Sequence, residues 1–133
     1  MMPRKRILIV DDDVAGARLL KLNLEQTNNY EVRVENWPED ALESAQAFQP
    51  DLVILDVMMP RMFGGDVAAR FQTDPALKEV PIVFFTAAVG KTRVADHEGM
   101  IGEFAFLAKP ADMRALINCI ENQLALHSPI SAG

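Results

Sequence analysis

Residues 50–60 read PDLVILDVMMP, and the four apolar residues Leu52–Leu55 at its centre decide the fold class. The run is short, continuous and rich in β-branched side chains, and it stops at Asp56. An apolar run without alternation predicts a strand covered on both faces, the signature of a parallel sheet. Similar runs lie at Arg6–Val10, Val80–Phe85 and Phe104–Leu107. Glu31–Glu35 is the exception. It alternates, with Val32 and Val34 on one face, and so belongs at an edge.

Helical periods fill the gaps between these runs. Val14, Ala17, Leu20 and Leu24 form an apolar stripe in the first. Ala41, Leu42 and Ala45 follow Pro38, which suits a first-turn proline. Val67 and Phe71 follow the turn at Gly64–Gly65, and Lys91–Met100 gives a fourth helix crowded by Gly90, Gly99 and Gly102. Met113, Leu116, Ile117, Ile120 and Leu124 mark the last. Five strand–helix pairs with right-handed crossovers predict a doubly wound α/β fold, a five-stranded parallel sheet of order 2-1-3-4-5.

The chain has 133 residues, enough for one domain without a metal or disulfide staple. We expect residues 1–127 to form it and 128–133 to be a flexible tail or the start of a linker. Half of the residues are hydrophobic and the net charge is −6, which argues against direct nucleic-acid binding. The single cysteine, Cys119, allows no internal disulfide and suits a reducing, cytoplasmic setting; it shares a helix with Ile117 and Ile120 and reads as packing. Ile7–Val10 is too short for a signal segment or membrane span. His97 and His127 have no metal-like spacing, and Trp37 reads as a surface or helix-start residue.

In an open α/β sheet, ligands bind outside the carboxyl ends of the strands. Strand 1 ends in Asp11-Asp12-Asp13, strand 3 in Asp56, strand 4 in Thr86-Ala87 and strand 5 in Lys109-Pro110. Asp13 reads as the N-cap of the first helix. The remaining carboxylates repel one another unless a cation intervenes, and Mg²⁺ accepts one or two carboxylates with waters and phosphate oxygens. A carboxylate also serves as nucleophile, forming an aspartyl phosphate. Asp12 and Asp56 suit a metal, Asp56 an acceptor, and Lys109 a counter-charge.

The strings ILIVDDD, PDLVILDVMMP, TA after an apolar strand, and GEFAFLAKP resemble the receiver domains of two-component response regulators, over about residues 5–126. The resemblance implies a flavodoxin-like fold, in the manner of chemotaxis-type single-domain receivers. It implies that Asp56 is phosphorylated by a sensor histidine kinase or a histidine phosphotransfer protein. Asp12 and the backbone carbonyl of Met58 would be Mg²⁺ ligands beside Asp56, with Asp11 acting through water. Thr86, Lys109 and the Ala87 backbone would hold the phosphoryl group, and the Lys109–Pro110 bond would be cis. Thr86 and Phe106 would form the switch, and helix 4, strand 5 and helix 5 the output face, read by an output protein or a missing output domain. Met58 and Ala88 occupy positions that tune dephosphorylation in the family. Such a protein is a switch that promotes its own phosphorylation and dephosphorylation, not an enzyme acting on a separate substrate. It is expected to be a monomer or a weak phosphorylation-dependent dimer.

The same residues bear on other functional classes. Asp11-x-Asp13-Val14 also resembles the first motif of haloacid-dehalogenase-type phosphatases, but after Lys109 only Asp112 and Glu121 remain as acids, and Asp56 has no role there. A receiver-like binding module that signals without phosphorylation usually lacks one of the acidic, Thr or Lys positions, and none is lacking here. A flavin-binding relative of the fold would need a phosphate-binding loop where strand 1 ends in acids.

Overall fold

The computed structural model describes residues 4–60, 62–86, 100–101, 104–109 and 112–126. Strands β1 (Lys5–Val10), β2 (Tyr30–Glu35), β3 (Leu52–Leu55), β4 (Ile82–Thr86) and β6 (Phe104–Ala108) are parallel, in the spatial order β2-β1-β3-β4-β6. The expected order of five parallel strands is therefore present. Outside β6 lies one more strand, β5 (Met100–Ile101), paired antiparallel to it with Met100 opposite Ala105. Met100, the end of the fourth helix that the sequence predicts, pairs in the sheet instead, and 91–99 lie outside the described residues.

Successive strand residues point to opposite faces, and this divides the core in two. Ile7, Ile9, Leu52, Ile54, Val83, Phe85 and Ala105 pack against α1 (Val14–Glu25) and the C-terminal helix α4 (Met113–Leu126). Leu8, Val10, Val53, Leu55, Ile82 and Phe84 pack against α2 (Ala41–Phe48) and α3 (Gly64–Thr73). Both faces are covered, which is why the runs are apolar at every position. β2 does lie at an edge, with Val32 buried and Glu31 and Arg33 exposed.

Three expectations shift in detail. β4 starts at Ile82, not Val80, because the Val80 N–H closes a turn onto the Leu77 carbonyl (3.0 Å). Pro38 opens a 3₁₀ turn, Pro38–Asp40, that leads into α2. Val14 does not join the stripe of Ala17, Leu20 and Leu24. It stands 61% exposed at the start of α1, before the helix has turned onto the sheet.

The last helix follows its pattern. Leu116 and Ile120 are buried, and Met113, Ile117, Cys119 and Leu124 pack around them, while the Asp112 carboxylate accepts the Ala115 N–H at 2.7 Å. Burial pushes the Cys119 thiol up, which fits a packing role.

Candidate phosphoacceptor site

The carboxyl ends of β1, β3, β4 and β6 bring together Asp11, Asp12, Asp56, Thr86 and Lys109. Adjacent strands hold them in register: the Asp56 N–H donates to the Val10 carbonyl (3.0 Å), and the Lys109 N–H to the Thr86 carbonyl (3.0 Å). Asp13 is set apart, since its carboxylate caps α1 by accepting the Gly16 N–H at 3.2 Å. That assignment leaves it unsuited to the acid role a phosphatase of the rival class would require.

One oxygen from each of Asp11, Asp12 and Asp56 lies within 4.8 Å of the others. Asp11 and Asp56 are buried and Asp12 is partly exposed. The Lys109 ammonium donates to Asp11 at 2.6 Å, and the other Asp11 oxygen accepts the Asp13 N–H at 2.9 Å. Lys109 thus pairs with Asp11 in this state, and it lies 5.4 Å from the centroid of the Phe85 ring.

Asp56 is the strained member. Burial raises its pKa, and the neighbouring charge of Asp11 adds to the rise. The Thr86 hydroxyl, the Lys109 ammonium and the Met58 N–H act the other way, without cancelling it. One oxygen, Oδ1, is buried with no hydrogen-bond partner among the described residues. A buried carboxylate oxygen without a donor is costly. Flanked by two more carboxylates and facing an oxygen-only donor set, it fits a hard divalent cation.

Two positioning features escaped the sequence reading. Asn36, just past β2, donates its side-chain N–H to the Asp11 carbonyl (2.8 Å), while the Asp11 N–H donates to the Glu35 carbonyl (3.1 Å). Asn36 stands at the end of strand 2, where the strand-end rule that finds the other site residues also points. Gly64 presses on the acceptor loop: its N–H donates to the Val57 carbonyl at 2.8 Å, and a Cβ there would lie 2.3 Å from the Asp56 carbonyl oxygen. The sequence reading puts the Gly-Gly pair in a turn before the helix, whereas both residues open α3 itself, and nothing in the sequence distinguishes residue 64 from 65.

Phe106 is partly buried against the α2/α3 side of the sheet, opposite Phe84 in register. Met58 is exposed on the loop after Asp56. Ala87, Ala88, His97, Pro110 and His127 lie outside the described residues.

The family description "Response regulator receiver domain" matches residues 7–121. The chain belongs to the response-regulator receiver family. It is 40% identical over 108 residues to the response regulator PleD of Caulobacter vibrioides, covering 80% of this chain and 23% of that protein. The polar-differentiation response regulator DivK of Brucella anthropi is 28% identical, with 90% of this chain and 96% of DivK covered. The crystal structure of the Vibrio cholerae chemotaxis protein CheY4 superposes with a TM-score of 0.77 at 25% identity, covering 90% of this chain and 98% of that one. The chain spans from 23% to about half (54%) of the length of the first curated relatives. Among the described residues, no helix is long and apolar enough to cross a membrane.

Proposed function

We propose that this receiver is a phosphorylation-driven switch in which Asp56 takes a phosphoryl group, with Mg²⁺, from a sensor histidine kinase or a histidine phosphotransfer protein. The observation that carries this reading is the buried Asp56 carboxylate, one oxygen of which has no partner among the described residues, set between two further acids and beside Thr86 and Lys109.

In the transfer, an Asp56 oxygen forms the new O–P bond as the P–N bond to the donor imidazole breaks, and the departing imidazole takes a proton from solvent. Asp12, Asp56 and the Met58 carbonyl would hold the ion, with Asp11 contributing through water, and bound Mg²⁺ would offset charge on the phosphoryl oxygens. Lys109 exchanges its Asp11 partner for the phosphoryl group, and the Thr86 hydroxyl and Ala87 N–H hydrogen-bond it. As Thr86 moves toward the phosphoryl group, space opens for the Phe106 ring. Phe106 has no hydroxyl to desolvate, so we expect a partly activated resting population and a modest activation ratio. The altered face, around the last strand and helix, is read by an output protein or a linked output domain. The switch acts in the cytoplasm, does not itself bind nucleic acid, and turns over no substrate beyond its own phosphoryl group.

The test is direct. Incubation with acetyl phosphate and Mg²⁺ adds one phosphate to the wild type by intact mass, and Asp56→Asn takes up none. An equal adduct on the variant rejects Asp56 as acceptor.

A further inference from the structure

Beside the acid cluster lies an open hollow of about 400 Å³ lined by Asp12, Val14, Asn36, Trp37, Pro38 and Pro60. We propose that this hollow seats an apolar side chain of the protein phosphodonor, with Trp37 as its anchor. The inference rests on the phosphotransfer reading above and deepens it by naming a residue that selects the donor.

Three observations carry it. First, the hollow is continuous with the reaction site. Asp12 belongs to both, so a protein that brings a phosphohistidine to Asp56 must cover this surface. Second, the exposure is unusual for the residue types. Val14 stands 61% exposed and Trp37 50% exposed, forming apolar walls directly beside carboxylates. Large aromatic side chains in a pocket that closes on binding are the residues that dominate interface energies.

Third, the loop backbone that carries the anchor is held in place before binding. The Trp37 backbone N–H donates to a Glu35 carboxylate oxygen (3.1 Å), and the other oxygen of that carboxylate accepts the Ser44 hydroxyl. The Trp37 carbonyl accepts the Asp40 N–H (3.0 Å), and Asn36 next to it is bonded to Asp11. The loop bearing the indole is therefore tied directly to the acid cluster. A loop fixed in advance loses little backbone freedom on binding. A small acyl phosphate has no group to fill the hollow, and this separates the two donor classes.

Phosphorylation of the full chain is followed from two donors: acetyl phosphate with Mg²⁺, and a ³²P-labelled histidine phosphotransfer domain chosen from a panel because it labels the wild type. Trp37→Ala is expected to raise KM for the domain by about tenfold, equivalent to about 1.4 kcal/mol. The rate at saturation should change far less, and the penalty with acetyl phosphate should be several-fold smaller than with the domain. Trp37→Phe should recover most of the loss. An unchanged KM for the domain overturns the inference, as does an equal penalty with both donors, the sign of a merely structural role. A wild-type chain labelled by acetyl phosphate but by no phosphotransfer domain overturns it too. Failure of acetyl phosphate itself to label Asp56 overturns the phosphotransfer reading and this inference with it.

Discussion

At the scale of single residues, the site depends on how closely one backbone approaches another. Gly64 opens α3 against the carbonyl of Asp56, and any Cβ there meets backbone rather than a yielding side chain: the Asp56 oxygen at 2.3 Å and the Val57 Cα at 2.9 Å. Gly64→Ala must displace the acceptor loop, and overpacking of this kind costs about 1–3 kcal/mol. The expected outcome is a lower melting temperature together with slower labelling by acetyl phosphate. Gly65 is the internal control, because a Cβ added there meets nothing within 4 Å. Gly65→Ala, inside the same helix, should be neutral or stabilising by up to about 0.5–1 kcal/mol, with labelling unchanged. A thermal melt of both variants checks the pair, and equal destabilisation would contradict the close approach at residue 64.

At the scale of elements, the C-terminal helix is tied to the edge of the sheet. The buried Tyr30 hydroxyl at the start of β2 donates to the Glu121 carboxylate of α4, across 91 residues of chain. Burial pushes the Tyr30 pKa up, and the hydrogen bond to the anionic Glu121 pushes it further in the same direction. Removing the hydroxyl in Tyr30→Phe should cost about 1–2 kcal/mol at neutral pH. The pH dependence follows from the raised pKa. The folded hydroxyl stays protonated while the unfolded one ionises near its ordinary value of about 10. The contribution is thus fully present below pH ~10 and is lost as pH rises from there toward the folded value. Urea unfolding of wild type and Tyr30→Phe at pH 7 and above pH 10 should show the gap between them narrowing. A gap that widens would refute the pairing.

At the scale of the whole molecule, the concentration of negative charge at one end of the sheet sets a linkage between metal and stability. Asp11, Asp12 and Asp56 converge there, with Lys109 as the ammonium among them. A cation that binds only the folded state stabilises it by about 2.7 kcal/mol at 100 times its dissociation constant. Tens of millimolar Mg²⁺ should therefore raise the melting temperature of the wild type. Asp12→Asn removes one repelling charge, and we expect it to be more stable than wild type without metal and to lose the Mg²⁺ response. A melting temperature of the wild type indifferent to Mg²⁺ would count against the site.

Much of this was legible in the chain itself. The unbroken apolar runs carry the parallel sheet, and their ends at Asp11, Asp56, Thr86 and Lys109 carry the convergence of the site, because strand period and strand-end placement are rules of short range. Asp13 as a cap and Cys119 as packing were readable for the same reason. The partner that Lys109 takes was not. Asp11 and Asp56 are both within the reach of its ammonium from the strand ends, and the preference for Asp11 is decided by ångström-scale placement across 98 residues of sequence. The same holds for Val14, whose period points inward while the docking of α1 leaves it at the rim of a hollow. It holds also for Met100–Ile101, where helix and strand compete and the open edge of β6 supplies hydrogen bonds that only the assembled sheet offers. Periodicity and strand-end chemistry are local and survive in the sequence. Which charge meets which, and which apolar side chain is left uncovered, depends on the packing of elements far apart in the chain, and only the tertiary structure decides it.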